Sequence, residues 1–213
     1  TDHSPSVNLW RELRKIQGIK HIRVASGVRY DLILKDTSGS YLHSLCKYHV
    51  GGQLKVAPEH VAAKVTALMG KPNHSHYLKF EESFNKVNRQ LGKKQYLIPY
   101  LISAHPGSGL EESRELAKYV SQQMQHTPEQ VQNYTPLPMT VSASMYYTGI
   151  NPFNGEKVYV PRSNKERDEQ RAMLHGMACR RKPVKSAHSR DSAAKKAKLP
   201  GNTSKSRSAR PNK

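Results

Sequence analysis

Three short strings in this sequence carry side chains suited to chemistry, and each follows a short apolar run: Ser26-Gly27-Val28-Arg29, Ala57-Pro58-Glu59-His60 and Ser103-Ala104-His105-Pro106-Gly107. The guanidinium of Arg29 suits a carboxylate or phosphate, because its fork donates paired hydrogen bonds. Glu59 can accept hydrogen bonds from an amine or a ribose. His60 and His105 can do acid–base work or orient a ligand. Ordinary readings stand beside each of these. Arg29 can pair with Asp31, and Glu59 is an acid near a helix start, where the macrodipole favours one. His60 can be structural and His105 can simply shape a turn. His74 and His76 look like a metal pair, but no third or fourth ligand follows at useful spacing. They read as the surroundings of a helix cap, and no metal site is expected.

The elements that must position these strings alternate between apolar strands and amphipathic helices. Ser6 is placed to cap a first helix with Leu9, Trp10, Leu13 and Ile16 on one face, ending at Gly18. Residues 22–25 read as a strand. Tyr41, Leu42, Leu45 and Tyr48 continue as a helix that stops at Gly51-Gly52. A second strand over 54–57 leads to a short helix marked by Val61, Val65 and Leu68. The clearest helix carries Tyr77, Phe80, Phe84, Val87 and Leu91 at three-four spacing and ends at Gly92. A third strand covers 96–103. Ser108 and Glu111 form a capping-box pattern opening a helix with Leu110, Ala117, Val120 and Met124 on one face. Residues 130–134 read as a fourth strand.

Strand–helix–strand repetition implies parallel strands with helical crossovers. In such architectures functional groups collect on the loops leaving the C-terminal strand ends, where all three strings lie. Three or four units over residues 1–135 are too few for a closed eight-stranded barrel, which needs roughly 200 residues or more. The expected fold is therefore α/β: a partial, incomplete βα barrel with parallel strands over 1–135. A small irregular α+β extension follows over 136–179. It is rich in turns and Tyr, with a hairpin at Asn154-Gly155 and a charged last helix opened by Ser163 and Glu166. Residues 180–213 lack apolar periodicity and read as a disordered basic tail.

Charge is uneven. The chain of 213 residues carries a net charge of +19, and residues 180–213 hold twelve Lys/Arg against one acid, Asp191. Such a tail could make non-specific nucleic-acid contacts. No aromatic residue interleaves it and no reading motif accompanies it, so a solvated tail is the favoured reading. A compact phosphate-binding α/β protein is disfavoured, because no Gly-rich phosphate loop follows any strand. Cys46 and Cys179 are the only two cysteines. Their separation suits free thiols in a reducing compartment, and no apolar run reaches membrane-spanning length. A cytoplasmic protein is expected.

Specific strings add to this reading. Leu54-Lys55-Val56-Ala57-Pro58-Glu59-His60, Met69-Gly70-Lys71-Pro72 and Gln95-Tyr96-Leu97-Ile98-Pro99-Tyr100 resemble the YgiQ-like radical-SAM proteins. So do His105-Pro106-Gly107 and Gln130-Val131-Gln132. Pro136-Leu137-Pro138-Met139-Thr140, Met145-Tyr146-Tyr147-Thr148-Gly149 and Asn151-Pro152-Phe153 are similar to that family's C-terminal extra domain. The resemblance covers nearly all of residues 7–178 in order. It implies the later half of a barrel that works with S-adenosylmethionine and a [4Fe-4S] cluster on an unknown substrate. It also implies that Ser26, Arg29, Lys55, Glu59 and His105 form part of the wall holding S-adenosylmethionine. One departure matters: the Cys-x3-Cys-x2-Cys loop that binds the cluster has no counterpart here, since three thiolates must stand together. The chain alone is expected to be catalytically silent, and a missing N-terminal half is its expected partner.

Overall fold

The computed structural model describes residues 1–124, 128 and 130–178. The expected tail at 180–213 and Cys179 lie outside the described residues. In chain order the elements are α1 (Ser4–Leu13), α2 (Tyr30–Ile33), α3 (Ser40–Ser44), β1 (Gln53–Glu59), α4 (Ala63–Leu68), α5 (His74–Leu91), β2 (Tyr96–Ser103), α6 (Leu110–Gln123), β3 (Val131–Asn133), α7 (Val141–Thr148) and α8 (Asn164–Ala178). Helix α3 runs on into a π-helical turn, Leu45–His49. No helix among the described residues is long and apolar enough to cross a membrane.

The sheet has three parallel strands in the order β1-β2-β3, joined by crossover helices and open rather than closed. It is a partial α/β layer, as the repeat pattern requires. Along β1 burial alternates, with Leu54 and Val56 turned to the helices and Gln53 and Lys55 to the open face. Against Leu54 and Val56 pack Tyr77, Phe80 and Phe84 of α5, together with Tyr30, Leu42 and Leu45. Burying each of the two Phe side chains contributes roughly 2–3 kcal/mol. Asn73 caps α5 by accepting the Ser75 N–H at 3.0 Å, and Gly92 ends it with φ 62. A second cluster joins Leu101, Leu116, Ala117, Val120, Val131 and Leu174. The register of β1 on β2 shifts between Val56 and Glu59, just beyond the rung that pairs Val56 with Pro99. Pro99 has no N–H to give the ladder, and a bulge at such a residue is an ordinary solution.

Several expected elements differ. Residues 22–25 form no strand. Their backbone is tied to the π-helical turn: Val24 N–H donates to His49 O at 3.0 Å, and His49 Nδ1–H donates to Ile22 O at 3.0 Å. Only Val28 reaches the sheet edge, as an isolated bridge to Val56. Ser6 lies inside α1, which starts at Ser4 with Pro5 in its first turn and has exhausted its regular bonding by Leu13. The capping box of α6 sits one residue later than the expected Ser108 and Glu111: the Gly109 N–H donates to the Glu112 carboxylate at 2.9 Å. Residues 141–148 form a helix where only turns were expected, capped by Thr140 Oγ1 accepting the Ala143 N–H. The hairpin reduces to one antiparallel bridge, Ile150 to Lys157, closed by Gly155 at φ 75. Ser163 does cap α8, accepting the Glu166 N–H at 3.2 Å.

Candidate functional site at the C-terminal strand ends

The ends of β1 and β2 share an unusual backbone. Glu59 and Ala104 have φ of 62 and 59, left-handed values that cost a non-glycine residue about 1 kcal/mol or more. Each is followed immediately by a buried histidine, His60 and His105. Strain repeated at adjacent strand ends is the kind that surrounding structure must hold in place, and it clusters at functional sites.

At β1, Glu59 pairs with Lys71 at 2.9 Å, and Lys71 also donates to Ala57 O at 3.2 Å. The His60 ring is 1% exposed, and its Nδ1 accepts the Ala62 N–H at 3.1 Å. That bond leaves the proton of the neutral ring on Nε2, which is buried and has no partner among the described residues. At β2, His105 has the opposite tautomer. Its Nδ1–H donates to Pro106 O at 2.7 Å and its Nε2 accepts from Ser142 Oγ at 2.9 Å. The ring stands edge-on to Tyr134, with centroids 4.8 Å apart.

Burial pushes both histidines down to about 4, and in His60 the nearby His105 adds to the effect. Their folded values thus lie below the ordinary value of 6.5, so the unfolded chain binds the extra protons first. Their stabilising contribution is complete above about pH 6.5 and is lost as pH falls toward 4. Between pH 6.5 and 5 the unfolding free energy is expected to fall by roughly 2 kcal/mol per pH unit. Urea melts across that window check this, and a flat profile would contradict the burial of both rings as neutral species.

The loop after β2 is held from three sides by the segment beyond β3. The Gly107 N–H donates to Tyr159 O at 2.7 Å, Ser142 reaches His105, and α8 supplies Gln170. Gln170 is fully buried. Its Oε1 accepts from Ala104 N–H, Ser108 Oγ and Ser113 Oγ at 3.1, 3.2 and 2.8 Å, and its Nε2 donates to Ser108 O at 2.9 Å. At β3, Ser103 Oγ donates to Asn133 Oδ1 at 2.6 Å and Arg167 donates to Tyr134 O at 2.7 Å. Gly107 has φ 91, and a Cβ there would lie 2.3 Å from Leu68 Cδ1. Gly107→Ala is therefore expected to destabilise the fold by about 1–2 kcal/mol, chiefly through the left-handed φ while the Leu68 side chain moves aside, read as a drop in melting temperature. An unchanged melt would show that the loop is not fixed as described.

Of the five residues named from the sequence, the structure places Lys55 and Glu59 on one face of β1. Ser26 lies in the loop beside them, since the neighbouring Val28 N–H donates to Lys55 O at 3.1 Å. Arg29 takes its ordinary alternative: its guanidinium holds Asp31 through two bonds of 2.9 and 2.7 Å, and this pairing lowers the Asp31 carboxyl. His105 is buried at the next strand end. Among the described residues no side-chain hydrogen bond joins any two of the five. His74 and His76 lie in the first turn of α5, and no group of three metal-ligating side chains occurs among the described residues. Sequence reasoning missed Gln170, Ser142, Asn133 and Tyr134. For Gln170 a signal existed: it and Leu174 are four apart, one polar residue on the single apolar stripe of a charged helix.

Residues 129–180, which hold α7 and α8, match the model of a family described as "Domain of unknown function (DUF3362)". Over 173 residues, 81% of this chain, a UPF0313 protein of Methanocella arvoryzae is 50% identical. Another, from Clostridium botulinum strain Loch Maree, is 47% identical over 173 residues, and one from Methanosarcina mazei is 47% identical over 175. The UPF0313 similarity thus runs through both the βα layer and most of the segment that braces it. The chain spans only about 28% of the Methanocella and Methanosarcina UPF0313 proteins and 27% of the Clostridium one.

Proposed function

We propose that this chain is the later-barrel and C-terminal portion of a radical-SAM enzyme of the YgiQ-like kind, contributing a wall of the S-adenosylmethionine site and none of the cluster ligands. What supports the reading is the open sheet of sequential parallel βα units with left-handed residues at the ends of β1 and β2. Those strand ends carry the strings that resemble the radical-SAM family. Ser26, Lys55 and Glu59 flank the open face, where Lys55 can meet a carboxylate and Glu59 a ribose or amine. His105 acts from behind, fixing the loop. Arg29, held by Asp31, shapes the loop beside Lys55.

The cluster would supply electrons for reductive cleavage of S-adenosylmethionine, and the residues here do not fit as its ligands. Cluster binding requires three adjacent thiolates. Cys46 is fully buried, and burial pushes its thiol up to about 12. This chain therefore supplies no ligand to the cluster. Its contribution is to position a cofactor held by residues elsewhere in a longer protein.

Co-expression with the N-terminal portion of the Methanocella relative tests this. The two pieces are expected to co-purify as a complex that binds S-adenosylmethionine, with Lys55→Ala weakening binding roughly tenfold. Separate elution of the two pieces, or binding indifferent to Lys55 and Glu59, would overturn the proposal.

A further inference from the structure

Away from the strand ends, α1, α3 and α5 enclose a cleft of about 800 Å³. That volume lies within the range of small-molecule sites. Its lining includes four cations, Arg11, Arg14, Lys47 and Lys86, against one carboxylate, Asp36. The carboxylate is already committed: it accepts from Ser38 N–H and Oγ on one oxygen and from Tyr41 N–H on the other. Among the described residues none of the four cations forms an ion pair. Arg11 donates to Asn8, while Arg14 stacks on the Tyr48 ring at 3.7 Å with Lys47 at 5.2 Å from the same ring. Both are drawn to the negative face of the Tyr48 ring, and the hydrogen bond from Lys47 lowers the Tyr48 hydroxyl. Serine hydroxyls and His43 add donors around the same space.

We propose that this cleft binds a small, multiply phosphorylated anion of nucleotide size. Two Arg forks and two Lys ammoniums line the same cleft, from α1 and its C-cap, the π-helical turn and α5, which suits several phosphate oxygens held at once. A monoanionic carboxylate would leave most of that charge unmatched. Walls from three sides around about 800 Å³ favour a compact ligand over an extended strand. The site is separate from the strand-end residues, so it stands or falls independently of the radical-SAM reading.

The sole tryptophan of the chain, Trp10, stacks on Tyr41 and His49 next to the cleft and serves as its reporter. Tripolyphosphate, pyrophosphate and ADP are titrated into the full chain at about 0.15 M KCl, where distant surface charge is screened. Tryptophan fluorescence and melting temperature are followed together. At least one of the three is expected to give a saturable signal and a raised melting temperature. Lys86→Glu and Arg11→Glu should each weaken it by roughly tenfold or more. Lys195→Glu with Lys196→Glu should leave it within about twofold. No saturable signal with any of the three would overturn the proposal. So would binding abolished by the tail variant and indifferent to Lys86, which would mean condensation on the tail. A short oligouridylate that outcompetes all three in a Lys86-dependent way would assign the cleft to nucleic acid and equally overturn it.

Discussion

Gln170→Leu is expected to lower the unfolding free energy by about 3–5 kcal/mol, one of the largest losses from any single change in α8. The side chain is fully buried and holds three groups of the loop after β2, the Ala104 N–H and the Ser108 hydroxyl and carbonyl, together with the Ser113 hydroxyl of α6. Leucine fills similar space but leaves those polar groups without partners, and each buried orphan costs about 1–3 kcal/mol. Two neighbours limit the loss, since Ser108 and Ser113 can still bond each other across 3.4 Å. Ala104 cannot recover in that way. It carries the left-handed strain at the end of β2, and its N–H bond to Gln170 holds that conformation. Urea unfolding followed by circular dichroism reads the effect. A loss below about 1 kcal/mol would show that the segment beyond β3 does not brace the strand end.

Phe84→Ala should cost about 3–5 kcal/mol for a different reason. Phe84 is fully buried, lies 6.2 Å from the Phe80 ring centroid, and belongs to the cluster that seats α5 on Leu54 and Val56. Removing it leaves a cavity between a helix and a sheet already fixed by Phe80 and Tyr77, so the gap cannot close. Leu78 on the same helix is 44% exposed, and Leu78→Ala serves as the comparison with an expected change within about 0.5 kcal/mol. Similar losses from both substitutions in a urea series would mean that α5 does not present the face described.

Residues whose periodicity has one meaning are legible in the sequence. The 77-80-84 spacing of α5 and the alternation of β1 place the principal core, and strand 96–103 matches β2 at both ends. Other elements depended on contacts far away in sequence. Residues 22–25 have strand-like composition, but His49 takes their backbone hydrogen bonds, and no local pattern announces that. Helix α7 is short, follows two prolines and carries three adjacent non-helix-favouring residues at Tyr146-Tyr147-Thr148. Its cap at Thr140 and its bond from Ser142 to His105 hold it. For the site, residue type and strand-end position located Glu59, His60 and His105 correctly at the ends of β1 and β2. They could not tell that Arg29 is committed to Asp31 or that His60 and His105 carry opposite tautomers. Gln170 escaped because its partners lie 57–66 residues away.

The role proposed for this chain is that of a preformed wall without cluster ligands. Anaerobic reconstitution of the purified chain with iron and sulfide, read by visible absorption and bound iron, tests it most directly. The expected result is no stoichiometric cluster, with Cys46 unreactive toward thiol reagents in the folded chain. A stable four-iron cluster would contradict the account, because it would require Cys46 to leave the core and meet further ligands.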